Sequence, residues 1–137
     1  MRSERQGYSY PPYRLKPDRR LAGLYLKAQG IDEPPDDVPP TYMIFLRGEA
    51  LGVDLFEDLD IPRKQALHGG QRYEWLRPIA WDDELEVTAR VEKITEKQGR
   101  RGRIWFADIS YDYRLVPSGE LVLREVTRII KTGRADA

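Results

Sequence analysis

The single histidine of this sequence is a candidate for a catalytic or ligand-binding residue. The chain has 137 residues, one His and no Cys. The histidine stands in the segment Leu67-His68-Gly69-Gly70-Gln71. Glycines beside an imidazole allow close backbone approach, and the Gly69 and Gly70 N–H groups could act as oxyanion donors for a carbonyl. Alternatively, the ring hydrogen-bonds a loop carbonyl and only fixes a turn.

Carboxylates supply the other candidate groups. Glu49 falls on a predicted buried helix, where burial would raise its pKa and suit it to act as a base or nucleophile. It could equally face solvent or pair with an arginine. The run Asp82-Asp83-Glu84 could hold a divalent cation, or it could form a solvated turn. The basic segment 97–103 could contact phosphates or be a solvated hairpin tip.

The types of residue that are missing narrow the possible functions. Without Cys and with a single His, the chain cannot form thiolate sites, Cys nucleophiles or two-His metal motifs by itself. No phosphate-binding glycine loop, dinucleotide fingerprint or nucleophile-elbow motif is present. We therefore expect no metal and no cofactor.

Hydrophobic periodicity predicts the elements that must position these groups. Apolar residues alternate with polar ones in the C-terminal half, which is typical of half-buried strands. A buried helix followed by antiparallel strands predicts an α+β fold, with a curled sheet around a central helix. The predicted order is an extended arm over 1–16, a helix over 18–29, a loop over 32–40, a buried helix over about 41–51, a loop over 56–66, a short strand over 71–76, and long strands over about 84–92, 105–115 and 120–131.

Charge and length exclude several classes of partner. The 23 Lys and Arg residues balance the 23 Asp and Glu residues. A nucleic-acid-binding domain or a polybasic membrane anchor would carry a net positive charge. No apolar run approaches the roughly 20 residues that span a bilayer, and no secretory signal is visible. We expect a single cytoplasmic domain over residues 1–137 that binds neither nucleic acid nor membrane.

Short motifs in a fixed order resemble a known family. They are Val38-Pro39-Pro40-Thr41-Tyr42, the segment from Leu67 to Tyr73, Arg77-Pro78-Ile79 and Asp83-Glu84-Leu85. Together they resemble the N-terminal-type hotdog domain of the MaoC-like (R)-specific enoyl-thioester hydratases and dehydratases, over about residues 10–131. Gly70 stands where this family commonly has Glu.

The resemblance implies a single hotdog fold and a role that depends on a partner. The catalytic members of the family carry Gly-Asp-x-Asn-Pro-x-His, whereas this chain has no Asn and no Gly-Asp pair. The fifth residue before His68 is Arg63, not Asp. A second hotdog subunit would then supply the catalytic Asp and His. This chain would bind the acyl part of acyl-CoA or an acyl-carrier-protein thioester through Thr41, Tyr42 and the Leu67–Gly70 turn.

Two other functions stay open at this point. The first is a hotdog acyl-CoA thioesterase, with Glu49 as base or nucleophile and the Gly69 and Gly70 amides as oxyanion donors. The second is a non-enzymatic, homodimeric acyl-CoA-binding module, in which His68 and Glu49 have no catalytic role. Every alternative predicts association, because a hotdog sheet exposes an edge that a second copy or another hotdog subunit can pair with.

Overall fold

The described part of the chain is dominated by one antiparallel sheet. The computed structural model describes residues 1–33, 35–39 and 54–133. Its elements are β1 (Tyr13–Leu15), α1 (Arg19–Ala28), α2 (Leu55–Asp58), β2 (Ala66–Trp75), β3 (Leu85–Gly99), β4 (Gly102–Leu115) and β5 (Leu121–Lys131). The five strands lie in the order β1-β3-β4-β5-β2. The α+β class is confirmed, whereas the central helix predicted over about 41–51 lies outside the described residues.

Helix α1 has the termini that its sequence predicts. Asp18 caps the first turn, because its Oδ1 accepts hydrogen bonds from the backbone N–H groups of Arg20 and Leu21 at 2.9 and 3.2 Å. Gly30 follows the helix with φ of +83°, a left-handed conformation that favours glycine. The Ile31 N–H then bonds back to a carbonyl of the last turn. The prediction of a helix over 18–29 is therefore confirmed.

The long hairpin of β3 and β4 is more extensive than predicted. Its turn contains only Arg100 and Arg101, because Gly99 and Gly102 already pair with each other. A bulge between Val91 and Lys93 shifts the register, so the inward-facing positions change from odd to even numbers beyond it. The alternation visible in the sequence stops at this bulge, and this explains why the predicted strand was too short.

Two strand predictions need correction. The segment 1–16 was expected to be extended and irregular, but Tyr13–Leu15 pairs with β3 as strand β1. The Leu67–Gly70 segment was expected to be a turn, but it lies inside β2, where Leu67 pairs with Ile130 of β5. Adjacent glycines are typical of turns, yet here they form a bulge whose flanking residues keep their ladder partners.

The segments between strands pack as loops and short turns. In the predicted loop over 32–40, Val38 is buried and its N–H bonds to the Ile79 carbonyl at 2.8 Å. Between 56 and 66 the chain forms the end of α2 and a 3₁₀ turn over Arg63–Gln65, as expected for a loop with a helical turn.

The inner face of the sheet carries the described core. We use "inner face" for the side on which Val87, Ala89 and Val91 of β3 are fully buried. The cross-strand neighbours of these residues on β4 are Tyr113, Tyr111 and Ile109, which are buried as well. Apolar residues are buried on this face, and arginine or acidic residues lie on the opposite face. This pattern fixes the face of the sheet to which each side chain points.

Candidate functional site

Polar side chains interrupt the apolar inner face at the β2 side of the sheet. Glu125 of β5 is 0% exposed, and Thr127 two residues later is also buried. Ladder pairing places Gln71 beside Thr127 and His68 beside Ile129. We call His68, Gln71, Tyr113, Glu125 and Thr127 the inner-face polar cluster.

Hydrogen bonds connect the whole cluster. The Tyr113 hydroxyl donates to Glu125 Oε1 at 2.8 Å, and the Gln71 amide Nε2 donates to Glu125 Oε2. The Thr127 hydroxyl donates to Gln71 Oε1 at 3.1 Å. The same Gln71 oxygen lies 3.0 Å from His68 Nε2. A buried carboxylate needs such donors, because burial without them costs several kcal/mol or more.

The two-glycine bulge brings His68 and Gln71 to the same face. Residues three apart point to opposite sides of a regular strand, because side chains alternate with a period of two. His68 pairs with Ile129 and Gly70 pairs with Arg128, so Gly69 is an extra residue in the ladder. The bulge therefore restores the inward direction at Gln71, and the hydrogen bond between the two side chains becomes possible.

The two glycines differ in their surroundings. A Cβ added to Gly69 would lie 2.7 Å from Ile130 Cδ1 and 3.0 Å from Arg128 Cγ. A Cβ added to Gly70 would meet nothing within 4 Å. Gly69 thus packs closely against the Ile130 and Arg128 side chains of β5, which would have to shift to admit a Cβ, whereas Gly70 faces open space. The oxyanion role of either amide stays a prediction.

The structure describes some of the other predicted site residues and not others. Thr41, Tyr42 and Glu49 lie outside the described residues, so their substrate-binding or catalytic roles stay predictions. Leu67 lies on β2 and is 56% exposed. His68 is exposed too, and its partner is the Gln71 side chain instead of a loop carbonyl. Of the predicted set, the Leu67–Gly70 segment is the part that falls within the described residues.

The acidic run before β3 behaves as a turn. Asp83 accepts a hydrogen bond from the Ala80 N–H at 2.8 Å and returns its own N–H to the Ala80 carbonyl. Over residues 1–33, 35–39 and 54–133, no group of His, Asp and Glu side chains is arranged to hold a metal ion. None of the helices in that same part is long and apolar enough to cross a membrane.

Sequence reasoning missed Gln71, Tyr113, Glu125 and Thr127. The signal for two of them is present in β5, where Arg124 and Arg128 mark the outer face. The alternate positions, including Glu125 and Thr127, must then face inward. Gln71 gave no such signal, because the bulge that turns it inward is visible only in the pairing with β5.

The two edges of the sheet differ in which segments of the chain pair with them. We call residues 1–16 the N-terminal arm; it runs along β3, where Gly7 N–H bonds to the Val91 carbonyl at 2.7 Å and Tyr10 N–H bonds to the Ala89 carbonyl at 2.9 Å. Strand β2 ends the sheet on the other side, and no described strand pairs with its outer edge. The inner-face polar cluster therefore lies beside an open edge.

A side-chain clamp secures the arm. Tyr10 is 3% exposed, and its hydroxyl donates to Asp58 Oδ2 at 2.5 Å. Arg5 binds the other carboxylate oxygen of Asp58 at 3.1 Å. Burial of the ring, together with the hydrogen bond to Asp58, raises the pKa of Tyr10. The hydroxyl thus keeps its proton and its donor role well above neutral pH.

Solved structures of the same architecture identify the fold. The chain superposes on one chain of the 3R-hydroxyacyl-ACP dehydratase complex HadBC from Mycobacterium tuberculosis with a TM-score of 0.75, at 16% identity, covering 95% of this chain and 99% of that one. It superposes on a MaoC-like dehydratase with a TM-score of 0.68, at 16% identity, covering 94% of this chain and 42% of that one. The fold is therefore the hotdog fold, as the sequence predicted.

A family model and a curated relative match the amino-acid sequence of this chain. The model of the FAS1-like dehydratase domain region matches residues 26–116, and the chain belongs to that family. The resemblance to MaoC-like hotdog domains is thereby confirmed. A UPF0336 protein of Streptomyces griseus subsp. griseus is 27% identical over 101 residues, which is 72% of this chain and 63% of that protein. The chain thus spans less than two thirds of this relative's length.

Proposed function

We propose that this chain is the acyl-thioester-binding subunit of an (R)-specific enoyl-thioester hydratase or 3-hydroxyacyl dehydratase. The thioester is carried by coenzyme A or an acyl carrier protein. A second hotdog subunit supplies the catalytic Asp and His. It pairs with this chain along the open edge of β2.

The open β2 edge is the observation that carries this proposal. A ten-residue edge strand presents unpaired backbone groups, and proteins normally cover or interrupt such an edge. Leu67 near one end of β2 and Leu76 just beyond its other end are 56% and 53% exposed. An edge with apolar side chains at both ends suits a strand from another subunit. The arm already covers much of the opposite edge, so β2 is the long edge that the described residues leave uncovered.

The sequence supports the division of labour. The catalytic motif of the family needs Asn and Gly-Asp, and this chain contains neither. A hydratase must place a base and an acid at the thioester, so a chain that lacks the Asp and His of the family motif would obtain them from a partner that carries the motif. The dehydratase of known structure to which this chain is similar, HadBC, is a complex of more than one subunit.

The test is capture followed by an assay of the pair. The chain, tagged with a peptide that contains no histidine, is used to capture partners from a lysate of its own cells. We expect a hotdog protein bearing Gly-Asp-x-Asn-Pro-x-His at about one-to-one, and a pair that hydrates crotonyl-CoA when neither chain does so alone. Efficient turnover of crotonyl-CoA by this chain alone would contradict the proposal.

A matched pair of variants tests the edge. Leu67→Glu puts a charge on the open edge, and Leu24→Glu puts the same charge on α1, where Leu24 is 63% exposed. We expect Leu67→Glu to weaken association at least about tenfold, since it places an unpaired charge in an interface. Leu24→Glu should leave it unchanged. Equal affinity of the two variants for the partner would show that β2 is not the interface.

The alternative functions are outcomes of the same experiments. Thiol release from acyl-CoA that is lost in Glu49→Gln would favour the thioesterase. Saturable acyl-CoA binding by a self-associated chain, with no turnover in any pairing, would favour the binding module.

A further inference from the structure

The inner-face polar cluster has a fixed hydrogen-bond polarity. The Gln71 amide directs its Nε2 donor to a carboxyl oxygen of the buried Glu125, which accepts it. Its Oε1 acceptor is then directed to Thr127 and His68. Because Oε1 cannot donate, the His68 Nε2 that lies 3.0 Å away must carry a hydrogen. The direction of hydrogen-bond donation at the buried Glu125 thus determines the direction at the exposed His68.

This polarity leaves His68 with one accepting atom. In a neutral imidazole, one ring nitrogen donates and the other accepts. With Nε2 committed to Gln71, Nδ1 is the acceptor. Within the part of the chain that the structure describes, the bond to Gln71 is the one hydrogen bond that the His68 ring makes. The ring lies on an exposed position of β2, so Nδ1 is available to a ligand.

We propose that His68 accepts a hydrogen bond from an amide N–H of the pantetheine arm of the acyl thioester, and that Gln71 and Glu125 are the positioning residues that hold it in this state. The ligand assignment rests on the proposed function. A thioester carbonyl is itself an acceptor and does not match Nδ1, whereas the two amides of pantetheine each present a donor. Coenzyme A and acyl carrier proteins share this arm.

The bulge is part of the same device. Gly69 is the extra residue that lets His68 and Gln71 share a face, and no larger residue fits beside Ile130 without a shift. Gly69 therefore serves to aim the imidazole. This is a different role from that of an oxyanion hole, which would present donors to the ligand at the same place.

The tautomer is measured without any ligand. The chain has a single histidine, so ¹⁵N-labelled protein without a histidine tag gives one imidazole signal set. At about pH 8.5, where an ordinary imidazole is neutral, we expect the Nε2–H form and an Nε2–H proton protected enough to be observed. In Gln71→Leu that proton should exchange with water and disappear. Arg72→Leu, on the neighbouring residue but the other face, should keep it.

Two results would overturn the relay. One is an Nδ1–H tautomer in the wild type, and this measurement does not depend on the folding of any variant. The other is a protected Nε2–H proton that persists in a folded Gln71→Leu variant. If that variant does not fold, because Glu125 loses a donor, the double variant Gln71→Leu, Glu125→Leu removes both groups and is examined in the same way.

The ligand is tested with unreactive thioethers. S-butyl-CoA and the same butyl thioether on holo acyl carrier protein are titrated into the chain, or into its complex if a partner has been captured. His68→Phe keeps a ring but no acceptor, and we expect about fivefold weaker binding of whichever probe the wild type prefers. His68→Gln restores an acceptor and should recover most of it. The preferred probe identifies the carrier.

The outcomes separate the two levels of the proposal. If the wild type binds a probe and His68→Phe binds it equally well, the ligand role of His68 is wrong while the proposed function stands. If the wild type binds neither probe, the proposed function fails and the ligand role fails with it. The tautomer result is independent of both.

Discussion

The two edges of the sheet differ in what protects them. Along β3, the arm supplies backbone partners: Val91 both donates to and accepts from residues of the arm, and Ile94 beyond the bulge donates to the Gln6 side chain at 2.9 Å. Along β2, the described residues supply no partner, and the edge carries a bulge and exposed leucines instead.

Under the proposed function, this difference gives each edge a separate task. The β3 edge is covered by a segment of the same chain, which protects that part of the sheet from unwanted pairing. The β2 edge lies beside the inner-face polar cluster, so a subunit that pairs there would lie close to His68. The proposal thus assigns structure to one side of the sheet and association to the other.

The largest expected effect comes from removing the buried anchor of the closed edge. Tyr10→Ala deletes a ring that is 3% exposed, and we expect it to lower the free energy of unfolding by about 3 kcal/mol. Tyr8, which packs edge-to-face on it at 5.0 Å between ring centres and is 38% exposed, is the matched control. Tyr8→Ala should cost less than about 1 kcal/mol. Urea unfolding measures both, and similar losses would show that the arm is not anchored by burial.

The two glycines of β2 provide a test of the bulge at the open edge. In Gly69→Ala the new methyl group would lie 2.7 Å from Ile130 Cδ1, and we expect a loss of about 2 kcal/mol because the Ile130 and Arg128 side chains, or the bulge itself, must shift. Gly70→Ala meets open space, and its stability should change by less than about 0.5 kcal/mol. Urea unfolding and the imidazole spectrum of His68 check this. A Gly70→Ala variant that loses as much as Gly69→Ala would contradict the bulge geometry.

The smallest expected effect is on the hydroxyl of the clamp. Tyr10→Phe keeps the ring and removes the bond to Asp58, which should cost about 1.5 kcal/mol at neutral pH. Because the pKa of Tyr10 is raised in the folded chain, the folded state holds this proton more tightly than the unfolded state. The stabilisation is therefore full below about pH 10, the ordinary Tyr value, and declines as the pH rises above it.

The same pair of proteins supplies the control for pH. Lysines titrate in this range as well, so the quantity to follow is the stability difference between wild type and Tyr10→Phe. We expect the difference to shrink above about pH 10. A difference that stays constant up to pH 11 would show that Tyr10 does not hold its proton through Asp58.

Local patterns predicted most of the elements. Helix α1 was predictable because Asp18 and Gly30 mark its ends. Strand β4 was predictable because apolar and polar residues alternate along it, and β5 because its residues are largely β-branched and apolar. Strand β1 was not, since three residues carry no periodic signal and the strand exists only through its pairing with Leu85–Val87. The start of β2 was missed because adjacent glycines suggest a turn until the partner strand is known.

The candidate site was predicted only in part. His68 stood out as the single histidine, and its glycine neighbours marked the segment as unusual. Glu125 did not stand out, because a glutamate in a strand is normally at the surface and its burial depends on the hydroxyl and amide that reach it from β4 and β2. These contacts join residues that are 12 and 54 positions apart.

The sequence by itself determined the class of fold, the family resemblance and the absence of the catalytic Asn and Gly-Asp, because these depend on residue types and their local order. Tertiary structure decided which edge is closed, which way Gln71 points and how His68 is held. Each of these depends on a strand partner or a buried hydrogen bond between distant residues. Register and bulges, which set such contacts, have no local signature in the chain.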